Sequence, residues 1–272
     1  MVELSNPQVE GEMDFDDQLR RVQRARHLGE ALAANIQAWS SAYPFDASAI
    51  IAEDRLSWEL RLRVHAQPPL DDWGLHWGDA VHQLRAALDN LSIAIARQAG
   101  VSESRALKRI QFPICATSSE WVDGKKRIEV LPESYRIAIE EVQPFQRGGK
   151  EESDLLLLLR DLDNSDKHHL QMKPTLDPSS ASHQQTVEFE TEEDATASVP
   201  PKVEAFAPEW IDGALLLRNI TNGRIARVSG NFSMEAVVQA DLGKGRQAPA
   251  LQILEMLCIN TRMVVDHVAR AG

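Results

Sequence analysis

Asp79, His82, Arg85 and Asp89 fall within Gly78-Asp79-x-x-His82-x-Leu84-Arg85-x-x-Leu88-Asp89, inside a strongly helical stretch at 73–98. Spaced at i, i+3, i+6 and i+10, they share one stripe of a helix that turns every 3.6 residues or so. Histidine exchanges a proton near neutral pH, arginine holds anions through charge-assisted hydrogen bonds, and a carboxylate can orient either. A second cluster follows a five-leucine run at 155–159, where Asp163, Asp166, Lys167 and His168 form the polar tail of an otherwise apolar helix. A charged continuation of a buried helix needs partners or water. The chemistry implied is a polar cleft that binds a phosphate-bearing ligand, RNA or a nucleotide. His82 or His168 would serve as acid or base and Arg85 as charge stabiliser, with Asp79, Asp89, Asp163, Asp166 and Lys167 binding ligand. The plainer account is a solvated helix face with Arg85 and Asp89 paired at i,i+4, and cations at 167–169 offsetting a helix dipole.

His82, Asp89, Asp163 and His168 are metal-ligand types, but HExxH, ExxH and an adjacent His-Asp dyad are all absent, so no metal and no cofactor is expected. Arg262-x-x-x-x-His267 has the loose spacing of HEPN-type ribonucleases, yet residues five apart diverge by about 140° on a helix. That reads as a surface Arg and a partly buried His. Dinucleotide, Walker, G-x-S-x-G and kinase patterns are missing as well. Cys115 and Cys258 are far apart, in no C-x-x-C spacing, and read as small buried hydrophobes rather than a disulfide or zinc framework.

The elements that must position these groups come from a chain of 272 residues with 43% hydrophobic and 26% charged residues and a net charge of −12. Such a balance suits an ordinary globular protein and opposes broad non-specific binding of duplex DNA. Residues 1–17 lack a basic region followed by an apolar one, so no secretory signal is read there, and no apolar run is long enough for a membrane span. A cytoplasmic location is the expectation.

The 3–4 spacing predicts a helix at 16–39, and strict alternation from Leu56 to Val64 predicts a half-buried strand at 55–65. The helix at 73–98 buries Trp77, Leu84, Leu88, Leu91 and Ile95 opposite the polar stripe. A short extended segment follows at 111–114, then small helices at 118–127 and 132–142, and a central leucine-rich helix that Ser153 can cap. Pro174 and Pro178 are read as breaks. Strand-like patterns at 186–191, 214–220 and 232–239 make a small antiparallel unit, whose first half, 183–212, holds eight acidic residues against one Lys. An amphipathic helix at 248–269 closes the chain.

The ordered motifs resemble those of an uncharacterised bacterial protein family. Its members carry the first motif, then F-P-I, Q-P-F or Q-P-Y, and D-K-H. The matching residues are Gly78-Asp79, His82, Leu84-Arg85 and Leu88-Asp89, then Phe112-Pro113-Ile114, Gln143-Pro144-Phe145 and Asp166-Lys167-His168. The match spans about 73–170. The resemblance implies a bacterial protein and no particular activity. Many members have His directly after the first motif's Asp, which creates an R-x4-H, whereas this chain has Asn90. The link to HEPN ribonucleases is therefore an analogy between helical bundles.

The expected fold is α+β: a mainly helical core with an antiparallel β unit inserted before the C-terminal helix. The expected division is a helical core at 1–182 with one strand near 55–65, an acidic β unit at 183–243, and a helix at 244–272 returning to the core. Expected partners are RNA or a nucleotide, a protein docking on the acidic β unit, and a second copy of the chain in a homodimer, with no membrane. The competing functional expectation is a non-enzymatic interaction or scaffold protein acting through that acidic unit.

Overall fold

The computed structural model describes residues 15–148, 153–166, 172–206, 209–243 and 245–272. The chain is α+β, with eight α-helices and two antiparallel sheets among the described residues, and its strands precede the final helix. It divides into two compact units. One comprises Met1–Glu30, Leu75–Leu170 and Gln252–Gly272, and the other Ala31–Gly74 and Gln171–Leu251.

The helical unit is built on α1 (Asp16–Ser41) and α2 (Leu70–Gln98), each of which continues into the other unit, together with α3 (Ser104–Leu107), α4 (Ser118–Gly124), α5 (Glu133–Glu141), α6 (Leu155–Asp166) and α8 (Ala250–Ala269). Trp77, Leu84, Leu88, Leu91 and Ile95 are all fully buried, so the apolar side of α2 is the one its periodicity indicates. In α8, Leu254, Leu257, Thr261, Val264, Val265 and Val268 are buried at the same 3–4 spacing. Thr117 caps α4 by accepting from the Glu120 amide at 3.1 Å, while Glu120 reaches back to the Ala116 amide at 2.9 Å. At the start of α6 it is the Asp154 carboxylate that accepts from the Leu156 amide, at 2.8 Å. Arg147 holds the other oxygen of Asp154 at 2.9 Å.

In the β unit, β1 (Phe45–Ile51), β2 (Ser57–Val64), β5 (Leu215–Ile220) and β4 (Lys202–Ala205) form one sheet in the order β1-β2-β5-β4. The other sheet pairs β3 (Met172–Phe189), β6 (Ile225–Asp241) and β7 (Gln247–Pro249), in that order, and α7 (Glu192–Ala197) follows β3. Alternation along β2 buries Trp58, Leu60 and Leu62, which join Leu176, Leu216, Leu217 and Ile225 in one core. Glu59 and Arg61 take the opposite face. There Glu59 receives Arg61 at 2.6 Å and Arg218 at 2.7 Å.

Two features depart from the sequence pattern. β1 is a strand that the sequence reading did not mark: it is short, only small alanines at 47 and 49 alternate with Asp46 and Ser48, and its hydrogen bonds come from β2. Pro174 lies inside β3 instead of ending it. This strand pairs only with β6, so a missing amide hydrogen on its free side costs no ladder bond. At Gly230, φ is 151° and an added Cβ would fall 1.9 Å from the Gln184 carbonyl oxygen, which explains the glycine there.

Candidate active site

Three of the four ordered sequence motifs converge on one segment, 112–115, whose backbone is satisfied by side chains instead of a neighbouring strand. From α2, Arg85 donates through Nη2 to Asp89 Oδ1 and to the Phe112 carbonyl, each at 2.8 Å, while Asp89 Oδ1 accepts the Phe112 amide at 2.9 Å. Both polar groups of a single residue are thus clamped by an i,i+4 ion pair. Beyond α5, the fully buried Gln143 donates to the Pro113 carbonyl at 2.9 Å and accepts the Cys115 amide at 3.0 Å. Its second amide hydrogen goes to the Ile139 carbonyl at 2.9 Å. From α6, Arg160 Nη1 donates to the Ile114 carbonyl at 3.2 Å. Unpaired backbone groups in a buried segment would each cost about 1–3 kcal/mol, which is the physical reason for so many polar side chains at this place.

The clamped segment walls a cavity of about 530 Å³, completed by Arg85, Asp89 and Gln111, by Glu120, Asp123 and Arg127 from the stretch containing α4, and by Arg160, Asp163 and Asn164 from α6. Asp163, which is one-fifth exposed, lies 3.3 Å from Nδ1 of the exposed His82. This pairing leaves the other ring nitrogen of His82 unengaged by that carboxylate. The carboxylates of the cavity each have a basic partner: Asp89 has Arg85, Glu120 has Arg160 at 3.4 Å, Asp123 has Lys126 at 2.6 Å, and Asp163 has His82. Arg127 instead donates to the neutral amide oxygen of Gln111, at 3.0 Å. Its positive charge is therefore uncancelled by any carboxylate within ion-pair distance among the described residues.

Burial pushes the Asp89 carboxyl above its ordinary range, against the opposing pull of the Arg85 guanidinium and the Phe112 amide. Burial also raises the Cys115 thiol, and Glu120 adds to that shift, so the sulfur on the cavity wall is held as a thiol and is a poor nucleophile. Cys258 is buried and pushed up to about 11.

Of the residues singled out by sequence, Arg85, Asp89 and Asp163 line the cavity, and His82 is at hydrogen-bonding distance from Asp163. Asp79 is exposed on α2 and is not part of the cavity lining. Lys167, His168 and the side chain of Asp166 lie outside the described residues. Arg262 pairs with Asp266 at 3.6 Å, and His267 lies 3.0 Å from Glu141, so each member of that R-x4-H spacing has its own acidic neighbour. Sequence reading passed over Gln111, Glu120, Asp123, Arg127, Arg160 and Asn164. A signal was present for some of them: Glu120, Asp123 and Arg127 repeat at 3–4 spacing, and Arg160 precedes Asp163 by three residues, each set sharing one helix face.

Among the described residues, no group of three or more His, Cys, Asp or Glu is arranged to hold a metal ion, and no helix is long and apolar enough to cross a membrane. Comparison with protein-family models, curated proteins and solved structures gave no match.

Proposed function

We propose that the cavity binds a phosphate-bearing ligand, RNA or a nucleotide, and that its chemistry is HEPN-like phosphodiester cleavage without a metal. The observation that carries the reading is the uncancelled Arg127, facing the same cavity as Arg85 and Arg160 in a chain of net charge −12. A guanidinium without a carboxylate partner at a concave polar surface is ready to donate to the oxygens of a phosphate. In this scheme Arg127 and Arg160 hold the phosphate, and Arg85 positions the wall through Asp89 and Phe112. His82, oriented by Asp163, takes the proton of the attacking 2′-hydroxyl as the new P–O bond forms. His168, the other acid–base candidate from sequence, returns a proton to the departing 5′-oxygen as its bond to phosphorus breaks. The resemblance to a bacterial family rests on motifs that include His82, Arg85, Asp89, Phe112 and His168 but not Arg127, Arg160 or Asp163, and Asn90 separates the scheme from R-x4-H chemistry on α2.

Calorimetric titration with uridine monophosphate and a cleavage assay on labelled oligouridine test it. Arg127→Ala should weaken nucleotide binding about tenfold, in line with a lost charge-assisted contact. His82→Ala should abolish cleavage and leave binding within about twofold of wild type. Normal binding and activity in both variants, with the fold intact by circular dichroism, would eliminate the scheme.

The scaffold reading draws on the acidic β unit. Glu190 there is already paired with Arg55 at 3.0 Å and Arg224 at 2.8 Å, while Glu192 and Glu193 occupy the exposed first turn of α7. A protein partner would meet the latter two.

A further inference from the structure

A second concave surface of the helical unit, of about 520 Å³ between α1 and α2, has the opposite charge from the chain as a whole. Among the described residues, Arg20, Arg21, Arg24 and Arg97 line it against a single carboxylate, Asp17, which already pairs with Arg20 at 3.7 Å. Arg21 is held in place by neutral partners. Its Nη1 donates to Gln83 Oε1 at 3.1 Å, and with the Asn90 amide oxygen turned toward it, Nε donates there at 2.7 Å. Among the described residues, no carboxylate lies within ion-pair distance of Arg21, Arg24 or Arg97. The floor is aliphatic, from Ile93 and Ala94, and no aromatic ring lines the groove among the described residues. Gln18, buried beside it, has a side-chain oxygen that receives no hydrogen bond among the described residues.

We infer that this groove binds the ribose-phosphate backbone of single-stranded RNA. Several guanidiniums without acidic partners, presented along one groove, match the repeating charge of a phosphodiester strand better than a single phosphate. Without an aromatic platform there is no base stacking to select sequence, so recognition runs through the backbone. Gln18 is among the lining residues, and a turn of its side chain would present its unpaired oxygen to the ribose 2′-hydroxyl, a donor that deoxyribose lacks. Arg97 and Ile93 lie about 12 Å further along α2 than Asp89 and Arg85, so the groove and the cavity occupy successive stretches of one helix. The inference takes its ligand class from the proposed function and deepens it: the substrate is an RNA strand, and a mononucleotide occupies only the cavity.

The experiment measures fluorescence anisotropy of the full chain with labelled twelve-residue oligouridine, with the matching deoxy-oligomer, and with uridine monophosphate as competitor. Arg24→Glu with Arg97→Glu should weaken oligouridine binding at least about tenfold and reduce its salt dependence by one to two phosphate contacts' worth, roughly 0.7 in the log–log slope for each. Calorimetric binding of uridine monophosphate should stay unchanged. The neutral pair Arg24→Gln with Arg97→Gln, at the same exposed positions, guards against a folding defect from charge reversal and should give a smaller loss in the same direction. Oligouridine binding that is unaffected by either pair, or no tighter than binding of the deoxy-oligomer, overturns the inference. Loss of oligouridine binding in the groove variants of a protein that does not bind uridine monophosphate would refute the cavity reading and leave the groove standing.

Discussion

The segment at 112–115, which belongs to no helix or strand, and strand β2 satisfy their backbones in different ways. β2 has neighbours on both sides, β1 and β5, and their ladders meet its amides and carbonyls. Its polar residues are free to meet one another on the sheet face, as Glu59 does with Arg61 and Arg218. Segment 112–115 takes its hydrogen bonds from Arg85, Asp89, Gln143 and Arg160, which come from separate parts of the helical unit. An ion pair on the sheet face adjusts stability, whereas an ion pair that clamps a backbone decides whether the cavity wall exists. The same residue types, an acid and an arginine, therefore differ in consequence according to what their second hydrogen bond reaches.

The sharpest way to break this contrast is Asp89→Ala, which strips the partner from both the Phe112 amide and the Arg85 guanidinium. A loss of about 3 kcal/mol is expected in denaturant unfolding. Gln143→Ala should come next, near 2 kcal/mol, because three hydrogen bonds of a fully buried amide are lost together and the vacated site gives water little access. Glu59→Gln should cost about 1 kcal/mol, since the sheet face is partly solvated and the ladder beneath it stays intact. A Glu59 variant as damaging as Asp89→Ala would erase the distinction between the two kinds of pair.

The smallest effect is a difference in pH dependence. Asp89 has its carboxyl raised by burial, so its contribution is full below the unfolded-state value and is lost as pH rises through the folded one. Glu59 has its carboxyl lowered, chiefly by the hydrogen bond from Arg218. Its contribution is full above the unfolded-state value and is lost as pH falls through the folded one. From acid to neutral pH, the stability advantage of wild type should shrink over Asp89→Asn and grow over Glu59→Gln. Parallel slopes for the two variants in pH-dependent unfolding would contradict that opposition.

Local periodicity made much of the fold legible. The alternation of Trp58, Leu60 and Leu62 marks β2, and the 3–4 spacing of Trp77, Leu84, Leu88 and Leu91 marks the buried side of α2, because each pattern repeats with the period of its own element. Long-range pairing was hidden. β1 is short, sets only alanines at 47 and 49 against Asp46 and Ser48, and takes its form from β2, and Pro174 is tolerated because β3 is at a sheet edge. For the site, the sequence showed that Asp79, His82, Arg85 and Asp89 share a face of α2. It also set out the F-P-I and Q-P-F segments in order without indicating that they touch.

The sequence by itself determined the α+β class, the faces of its main helices and the order of its polar motifs, since these depend on residue spacing within single elements. Only the tertiary structure decided that Arg85, Asp89 and Gln143 grip one backbone segment, that Asp163 stands beside His82, and that among the described residues Arg127 faces the cavity without an acidic partner. Hydrogen bonds act over about 3 Å, and His82 and Asp163, 81 positions apart, come near that range only after the apolar faces have packed.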